Sequence, residues 1–178
     1  MVNIGNQTWM AENLNWAGDD GNLGACYDNN ASNCNLYGRL YDWNTVMGGS
    51  ASSSSSPSGV RGICPAGWHV PSDAEWETLV NFAGGSFTAG RELKSTSGWS
   101  NNGNGTDDFG FSALPGGYGW SGDFVHVGSD GIWWSATEYG ASNALFLYMR
   151  SGLSHVSRLS ASKMDDLLSL RCLEDVRP

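Results

Sequence analysis

Apolar positions along this chain come mostly in short alternating runs separated by Gly, Asn, Asp and Ser, and only two stretches carry helical spacing. The clearer helix is predicted from Asp73 to Ala83. Ser72 is a natural N-cap, Glu75 three residues later completes a capping box, and Pro71 just before it suits a helix entry because it has no N–H to satisfy. Behind the cap, Trp76, Leu79, Val80, Phe82 and Ala83 fall on one face, and Gly84-Gly85 ends the run. A second short helix is predicted from Tyr37 to Met47. Leu40, Trp43, Val46 and Met47 form its apolar face, and Arg39 and Asp42 are spaced for an ion pair.

The remaining apolar runs read as strands. Ile4 to Met10 forms a hairpin turning at Gly5-Asn6, and Ser169–Leu173 is its expected partner at the other end of the chain. Trp68 and Val70 follow the Cys64-Pro65 turn as a short buried strand. Phe109, Phe111, Ala113 and Leu114 alternate toward the Gly116-Gly117-Tyr118 turn, and Tyr118, Trp120, Phe124 and Val125 continue as aromatic strand material. Gly131–Thr137 reads as a buried strand ending in a polar turn. Two more strands, Ala144–Arg150 and Leu153–Arg158, are joined by a turn at Ser151-Gly152. In the first of these, Leu145, Leu147 and Met149 share one face, and Ala144, Phe146, Tyr148 and Arg150 share the other. Two short helices and many short antiparallel strands define an α+β chain, read as a single domain over residues 1–178. Residues 48–58, GGSASSSSSPS, cannot bury apolar surface and are expected to be a flexible surface loop. Asn13–Asn35 reads as polar loop, with an Asx turn at Asp19-Asp20-Gly21-Asn22 that lacks the closing acid of a calcium loop.

With 178 residues the chain can bury a real core, and its 25 glycines and 9 tryptophans suit ordered loops around aromatic packing. A net charge of −9 argues against nucleic-acid partners and against anionic membrane surfaces. No run is long and apolar enough for membrane insertion, and MVNIGNQTW has neither the basic nor the apolar region of a leader peptide. The four cysteines allow three pairings. Cys26 and Cys34 bracket a polar turn that a disulfide could close, and Cys64 and Cys172 would then tie the middle of the chain to its end. None forms a CxxC and the three histidines are scattered, which argues against zinc. Three N-x-[ST] sequons, at Asn6, Asn30 and Asn104, carry little weight.

GICPAGWHVPSDAEWETL, with YGRLYDWNTVM, FGFSALPGGY, WWSATEY and LSLRC, resembles the Fibrobacter succinogenes major paralogous domain from about Ile4 to Asp175. That family occurs in secreted and surface proteins, so the resemblance implies an extracellular or cell-surface location with oxidised cysteines. The WHVPSDAEW element also resembles the formylglycine-generating branch of the C-type lectin fold, which implies a C-type lectin-like fold here. The oxidase activity of that branch needs paired cysteines near the C-terminus. Only Cys172 lies there, and no nucleophile elbow or paired carboxylates mark another chemistry, so no catalytic residue is assigned.

Some relatives are rewritten by diversity-generating retroelements near the end of the gene. The stretch from Tyr139 to Leu168 mixes Tyr139, Phe146, Tyr148, Arg150, His155, Arg158, Asp165 and Asp166 between framework positions such as Ala144 and Leu147, as such an element would leave it. The resemblance therefore implies a diversified adhesin or receptor that binds a protein or glycan on another cell, or on a host or plant surface, through these residues, flanked by Trp120 and Trp99; an ordinary surface hairpin with a few exposed leucines is the plainer reading of the same stretch. Replacing Phe146 and Tyr148 by Ala is expected to abolish binding and to leave the melting temperature nearly unchanged. The alternative is a plant-polysaccharide module whose exposed tryptophans, drawn from Trp99, Trp120, Trp133 and Trp134, stack on sugar rings; core packing is the plainer role for each. No cofactor is required. Asn104, Asp107 and Asp108 offer oxygen ligands for calcium, with loop organisation by hydrogen bonds as the simpler role.

Overall fold

The computed structural model describes residues 1–175. Strands β1 (Val2–Ile4) and β2 (Gln7–Trp9) form the expected hairpin, with Gly5 in the left-handed conformation its turn requires. Helix α1 (Ala31–Tyr37), strand β3 (Leu40–Tyr41), helix α2 (Trp43–Met47) and strand β4 (Trp68–His69) follow. Next come helices α3 (Asp73–Phe82) and α4 (Ala89–Leu93). The second half is strand-rich: β5 (Tyr118–Trp120), β6 (Asp123–Val125), β7 (Asp130–Tyr139), β8 (Asn143–Arg150), β9 (Val156–Ser162), β10 (Asp166–Ser169) and β11 (Leu173–Glu174). The class is α+β, with four α-helices among the described residues rather than two.

One sheet has the order β1-β2-β11-β4 and brings the two ends of the chain together. Its link is narrower than the sequence implies. Only Leu173 pairs with Trp9, because Ser169 is taken by β10 and the intervening residues reach the N-terminal segment through Met10 N–H to Cys172 O and Leu14 N–H to Leu170 O. The larger sheet has the order β6-β5-β10-β7-β8-β9, with β3 also paired to β10. Within it β7, β8 and β9 form a long antiparallel meander, whereas β10 meets β7 in parallel at a single register pair, Ser169 with Trp133.

The helix α3 carries the capping box read from the sequence. Glu75 N–H donates to Ser72 Oγ, and Glu75 Oε2 accepts the Ser72 N–H at 2.9 Å. Four other expectations are corrected. The helix expected over 37–47 is split: Gly38 ends α1, residues 40–41 pair as a strand, and α2 starts only where Asp42 accepts the Thr45 N–H. Arg39 donates to the carbonyls of Leu23 and Gly24 instead of pairing with Asp42. Residues 109–114 do not form a strand, since Asp107 and Ser112 both have positive φ and Asp107 accepts the Ser112 N–H and hydroxyl; only a Lys94–Ala113 bridge remains. The last hairpin strand runs over 156–162 rather than 153–158, because Lys94 Nζ gathers the Arg150 and Leu153 carbonyls and folds 151–155 into a loop. Residues 48–58 form a mostly exposed loop that is tied to β7 at Ser53, whose N–H donates to Ala136 O and whose carbonyl accepts the Thr137 hydroxyl.

Trp133 and Trp134 are consecutive on β7 and therefore point to opposite faces. Trp133 packs in one core with Trp9, Trp76 and Phe111, and Trp134 in a second with Tyr41, Trp43 and Phe146. Both indole N–H groups are satisfied inside, on Asn13 Oδ1 and Tyr41 O, each at 2.7 Å. These two tryptophans are core and not a sugar platform. Cys26 is bonded to Cys34 and Cys64 to Cys172.

Candidate functional site

With a single register pair between them, β7 and β10 leave a gap. Before Ser169, β10 turns away to pair with β5 (Asp166 with Trp120, Leu167 with Gly119) and β3, while β7 stays with β8. Gly119 permits the close β5–β10 approach, since a Cβ there would lie 2.9 Å from the Cβ of Leu167. Between the diverging strands lies a hollow of about 350 Å³. Ile132, Phe146 and Leu168 are its buried apolar lining, Tyr118 and Tyr148 are half-buried, and Trp120 stands at its edge 57% exposed.

Two carboxylates enter this hollow. Asp130 and Asp166 each sit three residues before the paired Trp133 and Ser169, which puts them at matching heights on the two parallel strands. Asp166 accepts the Ser162 N–H at 2.8 Å; burial raises its pKa above the ordinary carboxylate value, and that hydrogen bond opposes the rise. Asp130 is 5% exposed, and among the described residues its Oδ1 has no hydrogen-bond partner. Arg150 Nε is 3.8 Å from it, beyond hydrogen-bond range. Burial pushes the Tyr148 hydroxyl up to about 12, with Asp130 adding to the effect, and burial followed by Asp130 and Asp166 raises Tyr118. Both phenols thus remain protonated donors at neutral pH.

The predicted site residues divide. Trp120, Phe146, Tyr148 and Asp166 come together in the hollow, and Arg150 pairs with Asp130 at its border. Phe146, expected to face outward, is buried edge-on against Trp134. Trp99 is also buried, its indole N–H on Ala113 O at 2.9 Å, because the loop after α4 folds over it; it cannot contribute to a binding surface. Arg158 points elsewhere, to Asp73 at 3.1 Å and Glu77 at 3.2 Å on α3. Asp165 accepts the Ser162 hydroxyl within the β9–β10 turn, His155 lies in the exposed loop before β9, and Tyr139 is exposed at the far end of β7. Asp130, Tyr118 and Ile132 also line the hollow, without a sequence signal that marks them. No local motif marks Asp130, whose importance comes from the parallel register with β10.

Asn104 accepts the Trp99 N–H and Asp107 accepts from Ser112, so these oxygens organise their loop. Among the described residues no cluster of three or more His, Cys, Asp or Glu side chains is placed to hold a metal. A wider polar cleft of about 590 Å³ has the buried Arg171 at its base, held by Asn13 and Phe111 O. No helix among these residues is long and apolar enough to cross a membrane.

A family model described as the Fibrobacter succinogenes major domain matches residues 2–174. No curated protein and no solved structure matches the chain.

Proposed function

The chain belongs to the Fibrobacter succinogenes major domain family, and we propose that within it this is a non-catalytic, secreted or surface-displayed binding domain on a C-type lectin-like framework. Its contact surface is the hollow between β7 and β10 with Trp120 at the rim. Its ligand is a protein or glycan carried by another cell, or by a host or plant surface, and the Tyr139–Leu168 stretch is the part open to retroelement diversification. One observation carries this reading. Side chains from β8, β9 and β10, all within that stretch, converge with Trp120 of β5 on a single concave site. The two disulfides fit an oxidising, extracellular setting. With Cys172 bonded to Cys64 and no free cysteine among the described residues, a thiol-dependent oxidase lacks its reactive group, which supports the non-catalytic reading.

The test is a binding screen of the intact domain against cell-surface proteins and glycans, repeated with Trp120→Ala and Tyr148→Phe. Loss of the captured ligand with an unchanged melting temperature supports the hollow; retention of binding by both variants removes it. The polysaccharide reading rests on the exposure of Trp120. Retention on insoluble cellulose that Trp120→Ala abolishes would favour it.

A further inference from the structure

We propose that the hollow takes an alkylammonium group, the charged end of a lysine side chain or of a comparable amine. This rests on the hollow being the ligand site and names the chemistry it selects. A buried carboxylate oxygen with no hydrogen bond is unfavourable in the free protein and favours a donor that also carries positive charge. Asp130 Oδ1 is such an atom, and Asp166 faces the same space from the opposite strand. Among the described residues no Lys, Arg or His lines the hollow, and Arg150 stays at its border with a side chain 55% exposed.

The rest of the lining fits the same guest. Trp120, Tyr118 and Tyr148 supply aromatic faces, which attract ammonium groups through the ring quadrupole. Ile132, Phe146 and Leu168 supply an apolar wall against which a methylene stem can lie while its head reaches the acids. At about 350 Å³ the space is near the small end of ligand pockets, suited to one side chain or one small head group. An anion would meet two carboxylates. A neutral sugar can donate hydroxyls to Asp130 but adds no positive charge to that of Arg150, which stays beyond hydrogen-bond range.

The experiment is a titration of the intact domain, followed by NMR at the Trp120 indole and the amides of residues 130, 148 and 166. The probes are Nα-acetyl-lysine methylamide, choline, the uncharged Nα-acetyl-norleucine methylamide and methyl glucoside. The lysine derivative should shift these resonances more strongly than choline, whose quaternary nitrogen has no N–H to give Asp130, and added salt should weaken the effect. Asp130→Asn, near-isosteric and checked by its melting temperature, should weaken binding at least tenfold; Asp166→Asn should weaken it less. Arg150→Ala should strengthen binding several-fold, since it removes the competing cation. The proposal is overturned if the norleucine derivative binds as well as the lysine derivative, or if Arg150→Ala weakens the cation. Glucoside shifting these resonances while both cations fail would discard the ammonium and keep the hollow as a site. No response at these resonances to any probe would remove the proposal, while the ligand screen with Trp120→Ala separately decides the hollow.

Discussion

His69 and Glu75 meet inside the domain, ring Nε2 to carboxylate Oε1 at 3.0 Å, while the other ring nitrogen lies 2.8 Å from Asp175. A carboxylate only accepts, so a ring placed between two of them is held as the imidazolium. Burial alone would lower the His69 pKa, but the hydrogen bonds and charges of Glu75 and Asp175 outweigh it and raise the pKa above its ordinary 6.5. The sign follows from the raised folded-state value. The stabilisation is fully present below about 6.5, the unfolded value, and is lost as pH rises through the higher folded value. Thermal melts across this window should show a melting temperature that falls as the solution becomes alkaline. His69→Gln should flatten that dependence and destabilise at low pH by about 3 kcal/mol, as expected for one partner removed from a buried ion pair. An unchanged slope in the variant would assign the pH dependence to other groups.

Much of this local structure can be read from the chain because its causes are local. Ser72 and Glu75 are three residues apart, and that spacing is enough to set a helix start. The Gly5-Asn6 turn and the β8 strand rest on equally short signals. Where the reading fails, a distant residue decides. Leu40 sits on a helical apolar face by spacing, yet pairs as a strand because Ser169 needs a partner. Phe146 alternates with Leu147 as though one of the two must face water, but both sides of β8 are covered, by different cores. For the hollow, Phe146, Tyr148 and Asp166 are visible within a mixture of residue types expected to face outward, with Trp120 as a flank. Asp130 is not, since nothing near it in sequence records that β10 will run parallel beside it.

Trp120 and Phe146 should therefore behave oppositely on truncation. Trp120 projects into solvent, so Trp120→Ala should cost less than about 0.5 kcal/mol while removing ligand binding. Phe146 is 9% exposed and packs on Trp134, so Phe146→Ala should cost about 3 kcal/mol, a fall of roughly 6–12 °C in melting temperature. Calorimetry of the two variants checks this directly. Equal small losses would place Phe146 on the surface after all.

The two disulfides should differ in their contribution. Cys64–Cys172 closes a sequence separation of 108 and Cys26–Cys34 one of 8. In the chain-entropy model the first constrains the unfolded state by about 4.7 kcal/mol and the second by about 2.5 kcal/mol. Denaturant unfolding of the paired Cys→Ser variants should rank them in that order. A larger loss from removing Cys26–Cys34 would mean that it stabilises the native α1 region directly.

Arg171 should not tolerate lysine. Its guanidinium gives Nε and Nη2 to Asn13 Oδ1, gives Nη1 to Phe111 O, and lies 4.2 Å over the Phe111 ring. That fork ties the C-terminal segment to the N-terminal one and to the loop before β5. Lysine offers a single ammonium and cannot reproduce it. Arg171→Lys is expected to destabilise by about 3 kcal/mol, because the Phe111 carbonyl or Asn13 Oδ1, which keeps only the Trp133 N–H, loses guanidinium donors that one ammonium cannot replace together. A variant as stable as the parent would show that charge alone, and not the fork, matters there.

Diversification, if it operates, must respect this packing, and that makes it testable position by position. Ala144, Leu147 and Met149 are fully buried, and their substitution would damage the core. Tyr148, Leu159, Ser160, Ala161 and Asp166 reach the hollow with side chains that are not fully buried, so they can change without unfolding the sheet. Leu167 is confined by its approach to Gly119, where a Cβ would collide, so variants there are expected to stay compatible with that contact. Deep sequencing of the 3′ end of the gene across isolates should show changes at adenine-bearing codons, concentrated at the hollow-lining positions. The codons for Ala144, Leu147, Met149, Trp133 and Cys172 should stay fixed. Variation spread evenly over Tyr139–Leu168, buried and exposed positions alike, would not be the imprint of selection for a folded, altered binding site. Variation no greater than in the rest of the chain would leave a fixed ligand, recognised by the same hollow in every copy.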